Sequence, residues 1–167
     1  MTEVREIATG LEFPEGPIAM PDGSVLLVEI KRGTLSRVSP NGDVEVVATP
    51  GGGPNGAAMG PDGRCDICNN GGFEWHQVGD KTYPGDQPSD YSGGRIEAVD
   101  LNTGSVELLY AECDGERLKG PNDIVFDRQG GFWFTDHGKN RPRDKDRTGV
   151  FYATADGQSI QEVIFPL

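Results

Sequence analysis

A ten-residue segment occurs three times in this chain, and this repeat restricts the possible folds more than any other feature of the sequence. The copies are PEGPIAMPDG from Pro14, PNGAAMGPDG from Pro54 and PNDIVFDRQG from Pro121. Each begins with proline, continues with glutamate or asparagine, contains a short apolar run, and has glycine nine positions after the proline. The spacings are 40 and 67 residues, so the second unit contains an insertion. Repeats of about 40 residues are typical of propellers and solenoids.

Three more short apolar runs follow each copy and end at turn signals such as PNGD, LNTG and ADGQ. The second runs are SVLLVEI, RCDICNN and GFWFTDH, the third are TLSRVSP, GGRIEAVD and GVFYATAD, and the fourth are VEVVAT, VELLYA and IQEVIF. Short runs joined by Asx-Gly turns predict antiparallel hairpins. The 25 glycines and 12 prolines also argue against a helix-rich domain.

The pattern predicts an all-β chain, residues 1–167, that forms a single partial β-propeller of four-stranded antiparallel blades. The repeats cover approximately residues 11–50, 51–117 and 118–167. Three blades do not close a ring, because propellers usually have about four to eight. We therefore expect about three blades of a six-bladed protein, or a homo-oligomer that completes the ring if the chain is complete.

Composition restricts the partners. The net charge of −12 and the pI near 4.5 argue against nucleic acid, since polyphosphate would be repelled. The N-terminal MTEVREIATG lacks the features of a secretory signal, and no run is long enough for a membrane span, so a soluble cytoplasmic protein is expected. The three cysteines include one CxxC in a strand-like run, which predicts buried, reduced thiols rather than a zinc site.

The second residue of each repeat is the candidate for function. If each repeat begins the innermost strand of a blade, Glu15, Asn55 and Asn122 meet at the mouth of the central channel. One carboxylate with amide oxygens suits a hard divalent cation, and calcium fits better than zinc because no histidine or cysteine is present at these positions. The alternative is that the asparagines only shape turns, which would not explain glutamate in the same position.

Loops between the second and third strands open on the same side as Glu15. In the second unit this loop is the insertion at residues 73–93, predicted to be a lid or substrate wall carrying Trp75 and His76. The ends of the second strands place Asn69, Asn70, Asp136 and His137 near the mouth. The candidate substrate-binding residues are therefore Asn55, Asn70, Trp75, His76 and His137. The basic residues of the 137–148 loop alternate with acids and are interpreted as a solvated face.

The segments LEFPEGP, GPNGAAMGPDGR and KGPNDIVFDRQGGFWFTD resemble the SMP-30/gluconolactonase/LRE family of six-bladed propellers. The resemblance covers essentially the whole chain, which is close to half the usual family length. It implies a divalent cation, commonly calcium, at the channel mouth, and hydrolysis of lactones. Glu15 matches the acidic metal ligand, Asn122 matches an asparagine at the metal or substrate, and Asn55 matches a turn asparagine of less certain role. The remaining ligands of the family would fall after Leu167.

The predicted function is metal-dependent hydrolysis of a sugar lactone or similar small lactone. The family's general base is usually an aspartate that would also fall after Leu167, so Asp123 and Asp136 are the catalytic candidates within this chain. Two alternatives stay open. One is a non-catalytic propeller that binds a ligand or a protein, and the other is a strictosidine-synthase-like relative, because fold alone does not determine function.

Overall fold

The computed structural model describes residues 4–147 and 149–167, and every regular element in these residues is a β-strand. The first sheet contains β1 (Pro14–Ala19), β2 (Val25–Glu29), β3 (Thr34–Val38) and β4 (Val44–Ala48). The second contains β5 (Pro54–Met59), β6 (Cys65–Asn69), β9 (Arg95–Val99) and β10 (Val106–Tyr110). The third contains β13 (Pro121–Phe126), β14 (Gly131–Asp136), β17 (Gly149–Thr154) and β18 (Ile160–Ile164). No helix in these ranges could cross a membrane.

Each sheet is an antiparallel meander in which consecutive blade strands pair, with orders β1-β2-β3-β4, β5-β6-β9-β10 and β13-β14-β17-β18. The four apolar runs of every repeat thus form four strands, and the prediction of four-stranded blades is confirmed. Three short hairpins lie outside the blades: β7 (Trp75–Val78) with β8 (Lys81–Pro84), β11 (Glu112–Cys113) with β12 (Glu116–Arg117), and β15 (Asn140–Arg141) with β16 (Asp144–Lys145). The sequence predicted loops at the first and third of these hairpins and assigned no element to residues 112–117.

Two apolar layers hold the blades together. Between the first and second blades, Val28 and Leu35 pack with Ile67 and Val99. The layer between the second and third blades includes the completely buried Phe132, with Phe134 stacked on Phe151 at 5.0 Å. Burying side chains of this size contributes roughly 1.5 to 3 kcal/mol each. Packing of blade on blade therefore fixes the relative position of the inner strands β1, β5 and β13.

The cysteines are buried and unpaired, as predicted. Cys65 belongs to the layer between the first two blades, and Cys68 to the layer between the second and third. The two thiols of the CxxC therefore face opposite sides of β6 and cannot share a metal ion. Burial also raises the pKa of the Cys65 thiol to about 12, which keeps it protonated at neutral pH.

Asp66 on β6 is a buried carboxyl group, 1% exposed, whose Oδ2 atom has no hydrogen-bond partner among residues 4–147 and 149–167. Burial raises its pKa from 3.8 to about 7, and the nearby Asp62 adds to this effect. Between pH 3.8 and about pH 7, the Asp66 carboxyl group is protonated in the folded chain and ionised in the unfolded chain. The contribution of Asp66 to stability is therefore present below about pH 4 and is lost as the pH rises to about 7.

We expect Asp66→Asn to raise the free energy of unfolding by about 1 to 3 kcal/mol at pH 8, because the variant has no buried charge. At pH 4 the variant and the wild type should be nearly equally stable. Denaturant unfolding at both pH values measures this difference, with Asp80→Asn, an exposed carboxylate between β7 and β8, as the matched control. An equal gain at both pH values would contradict the assignment of the raised pKa.

Candidate functional site

The inner strands of the three blades line one open, polar cavity of about 430 Å³. Its lining residues all come from the repeated segment: Glu15, Gly16 and Pro17 from β1, Asn55, Gly56 and Ala57 from β5, and Asn122, Asp123 and Ile124 from β13. The structure thus brings the second residue of every repeat to a single cavity. Asn55 and Asn122 are in direct contact, since Asn55 Nδ2 donates a hydrogen bond to Asn122 Oδ1 at 2.7 Å.

A break in strand register occurs at the same place in each inner strand. The pairing is irregular between Glu15 and Ile18 in β1, between Pro54 and Gly56 in β5, and between Pro121 and Ile124 in β13. Bulges of this kind redirect side chains and are frequent beside active sites. The proline that opens each repeat has no N–H to donate and so favours such an irregular strand start. The repeated sequence therefore builds the same local distortion three times.

Two glycines allow the inner strands to approach closely. A Cβ atom on Gly16 would lie 2.7 Å from the backbone nitrogen of Ala57, and φ at Gly16 is +53°. A Cβ atom on Gly56 would lie 2.5 Å from the carbonyl oxygen of Asn122. Any larger residue would push the neighbouring strands apart. Glycine in the third position of the first two repeats therefore keeps the cavity narrow.

The donor set of the cavity consists of oxygen atoms. The carboxylates of Glu15 and Asp123 are exposed, and the amides of Asn55 and Asn122 line the same cavity. Asn122 Oδ1 already accepts a hydrogen bond, but a carbonyl oxygen has a second lone pair for a cation. Carboxylate and amide oxygens are ligands that suit calcium, so these residues fit one side of such a site. No group of three or more His, Cys, Asp and Glu side chains within residues 4–147 and 149–167 could hold a metal.

Asp136, a catalytic candidate from the sequence, is held by the backbone away from the Glu15 cavity, and its catalytic role stays a prediction. This side chain is 5% exposed and does not line the Glu15 cavity. Its Oδ1 atom accepts hydrogen bonds from the backbone N–H groups of Gly120 and Gly138, both at 2.7 Å, and Oδ2 accepts from Lys119 at 2.8 Å. A buried carboxylate whose two oxygens accept three backbone hydrogen bonds has little access to a water molecule in that cavity.

Asp136 instead belongs to a structural device that recurs in all three blades. The residues that pair with the opening prolines of the repeats are Glu29, Asn69 and Asp136. Glu29 Oε2 accepts a hydrogen bond from the backbone of Glu12, and Asn69 Oδ1 accepts one from Gly53. In every blade, then, a buried side-chain oxygen at the end of the second strand holds the backbone that enters the inner strand.

Asn70 and His137 lie away from the Glu15 cavity. Asn70 is 1% exposed, and its Oδ1 atom accepts hydrogen bonds from the backbone of Gly72 at 2.8 Å and from Lys139 Nζ at 3.2 Å. His137 lines a second cavity, of about 320 Å³, between the insertion and the 137–148 loop. Neither residue is among those that line the first cavity, so their predicted roles in substrate binding stay predictions without geometric support.

Trp75 and His76 open the hairpin of the insertion. Trp75 is half-buried, and its ring centroid lies 5.0 Å from that of Phe13 and 6.0 Å from that of Phe73. His76 is exposed and faces Gly85 across the hairpin. The insertion is therefore anchored close to β1 through Phe13, although neither Trp75 nor His76 lines the cavity.

Lys139 is a residue whose importance the sequence did not reveal. The alternation of charges predicted a solvated side chain, but Lys139 is 2% exposed. Nζ donates hydrogen bonds to Asn70 Oδ1 and, at 2.6 Å, to the carbonyl oxygen of Gly72, and it lies 4.1 Å from the Phe73 ring centroid. Burial lowers the pKa of this amine to about 8. No short-range sequence pattern distinguishes it from the exposed Lys145 in the same loop.

Successive four-stranded sheets whose first strands surround one polar cavity define a segment of a β-propeller. The model of the SMP-30/gluconolactonase/LRE-like region matches residues 13–167, so the chain belongs to this family. The predicted family and the predicted fold are both confirmed.

Two relatives show the extent of the similarity. A gluconolactonase of Zymomonas mobilis is 25% identical over 179 residues, which cover 94% of this chain and 44% of the relative. The structure of a gluconolactonase from Xanthomonas campestris superimposes with a TM-score of 0.68 at 21% identity, over 92% of this chain and 48% of that protein. The chain thus spans about half the length of these relatives.

Proposed function

We propose that the chain forms part of a metal-dependent lactonase, in which the Glu15 cavity holds a divalent cation, calcium, beside the lactone. The observation that carries the proposal is the meeting of Glu15, Asn55, Asn122 and Asp123 in one cavity formed by the repeated bulges. Membership of the gluconolactonase-like family and the similarity to the Zymomonas mobilis gluconolactonase support the choice of reaction.

In this proposal each polar side chain of the Glu15 cavity has a role that follows from its chemistry. The Glu15 carboxylate and the free lone pair of Asn122 Oδ1 would hold the cation. A bound calcium ion supplies Lewis acidity to polarise a carbonyl and stabilise the oxyanion. Asn55 fixes the orientation of Asn122 through its 2.7 Å hydrogen bond and keeps its own amide oxygen for a substrate hydroxyl. Further ligands would come from residues outside this chain's three blades.

Asp123 is the proposed general base. Its carboxylate is exposed at the cavity, and one oxygen accepts a hydrogen bond only from the backbone N–H of the adjacent Ile124 within the described ranges. The second oxygen can therefore accept a proton from a water that attacks the lactone carbonyl. The ring C–O bond then breaks, Asp123 returns the proton to the departing ring oxygen, and the product is a hydroxy acid.

Metal removal tests the proposal. The closed propeller, completed by further blades or by a second copy of this chain, should hydrolyse glucono-δ-lactone faster than buffer, lose this activity after chelation, and recover it when calcium is added. Acid release, followed with a pH indicator and corrected for spontaneous hydrolysis, measures the rate, while elemental analysis measures the bound metal. Undiminished hydrolysis after complete metal removal would overturn the role of the cation, and absence of hydrolysis by calcium-loaded protein would overturn the reaction.

A further inference from the structure

Four side chains form a continuous series of contacts from the 137–148 loop to the backbone that enters β1. Lys139 Nζ lies 4.1 Å from the ring centroid of Phe73. Phe73 meets Trp75 edge-on at 6.0 Å, and Trp75 meets Phe13 at 5.0 Å. Phe13 is two residues before Glu15 in the chain. We call these residues, Lys139, Phe73, Trp75 and Phe13, the aromatic bridge.

The Lys139 end of the bridge is tightly held. Its ammonium group donates to the Gly72 carbonyl and to Asn70 Oδ1, and it also lies 5.6 Å from the ring centroid of Tyr91. Tyr91 in turn donates a hydrogen bond to the Lys119 carbonyl oxygen at 2.5 Å. A desolvated cation over the face of an aromatic ring is attracted by the negative charge density of the ring. The insertion is therefore joined to the third blade at a defined point.

The Phe13 end has an uncommon backbone conformation. Its φ is +59°, and Asp114 is the other non-glycine residue with positive φ in the described part of the chain. Left-handed conformations of bulky residues are uncommon and persist where the surroundings enforce them. Here the Phe13 ring packs on Trp75, and its carbonyl oxygen accepts a hydrogen bond from Ile30 N–H at 3.0 Å.

We propose that the aromatic bridge is a positioning element that fixes the backbone before β1 and thereby the direction of the Glu15 carboxylate. Trp75 then acts through Phe13 and is a positioning residue, whereas the sequence predicted a substrate contact. The part of the inference that concerns Glu15 rests on the proposed metal site, while the coupling along the bridge can be measured without it.

Tryptophan fluorescence tests the coupling. Trp133, the other tryptophan of the sequence, is replaced by phenylalanine so that emission reports on Trp75. In this background Lys139→Met should shift the Trp75 emission to longer wavelength and increase its quenching by acrylamide at least twofold. Lys145→Met removes an exposed lysine of the same loop and should change neither. If Lys139→Met and its parent gave equal spectra, the coupling between Lys139 and Trp75 along the aromatic bridge would be overturned.

Calcium titration tests the consequence for Glu15. Trp75→Ala should weaken calcium binding at least tenfold, and Trp75→Phe should restore it to within about threefold of the wild type. Phe13→Gly keeps access to positive φ but removes the ring, so it should weaken calcium binding like Trp75→Ala without a large loss of stability. Unchanged affinity in Trp75→Ala and Phe13→Gly would overturn the positioning role. If the wild type bound no calcium, both the proposed metal site and the positioning of Glu15 by the bridge would be contradicted. The fluorescence experiment would still test whether Lys139 and Trp75 are coupled through Phe73.

Discussion

Glu15→Gln should lower the rate of lactone hydrolysis at least about 100-fold and weaken calcium binding, while the free energy of unfolding changes by less than about 0.5 kcal/mol. Glutamine has nearly the same shape but lacks the negative charge, so it is a poorer ligand for a hard cation. Each loss of about 1.4 kcal/mol in transition-state stabilisation is tenfold in rate, and a Lewis acid supplies several kcal/mol. The Glu15 side chain is exposed at the cavity, so the fold does not depend on its charge.

Steady-state hydrolysis, calcium titration and denaturant unfolding on the same preparations measure this prediction. Glu45→Gln is the matched control, because Glu45 is an exposed glutamate on β4 outside the cavity. It removes the same charge from the molecule and should leave the rate and the calcium affinity unchanged. If Glu15→Gln retained full activity and full calcium affinity, Glu15 would not be a metal ligand.

The blades could be predicted from the sequence because their determinants are local. Alternating apolar runs, turn glycines and the opening proline each act within a few residues, and the same set occurs three times. Aligning the repeats then placed Glu15, Asn55 and Asn122 in equivalent positions, and the cavity contains all three. The repeated fold explains this result, because equivalent positions on the inner strands of neighbouring blades line the same cavity.

The parts that the sequence did not reveal depend on contacts between distant segments. Proximity to the channel mouth suggested a catalytic role for Asp136, but the position of a strand end does not determine which backbone donors will surround its side chain. Lys139 occurs in an alternating charged run, yet Asn70 and the insertion bury it. Trp75 lies on a surface insertion, where pairing with Phe13 across 62 residues leaves no pattern in the sequence.

Asp136→Ala should lower the free energy of unfolding by about 3 to 5 kcal/mol. The buried carboxylate accepts three backbone hydrogen bonds, and hydrogen bonds to a charged group contribute about 1.5 to 3 kcal/mol each before the cost of burying the charge. Alanine leaves the N–H groups of Lys119, Gly120 and Gly138 without their acceptor. Asp136→Asn should cost less, because one oxygen remains, although its amide group would face a backbone donor.

A comparison of Asp123→Asn with Asp136→Asn distinguishes the proposed general base, Asp123, from the structural carboxylate, Asp136. Asp123 is exposed at the cavity, so this variant should unfold at nearly the wild-type denaturant concentration while its rate of lactone hydrolysis falls at least about 100-fold. Asp136→Asn should show the opposite pattern under conditions in which it is folded, with reduced stability and a rate within a few-fold of the wild type. A folded Asp136→Asn protein that has lost its activity, beside a fully active Asp123→Asn, would assign the base to Asp136, because only a carboxylate that takes part in the reaction produces that combination.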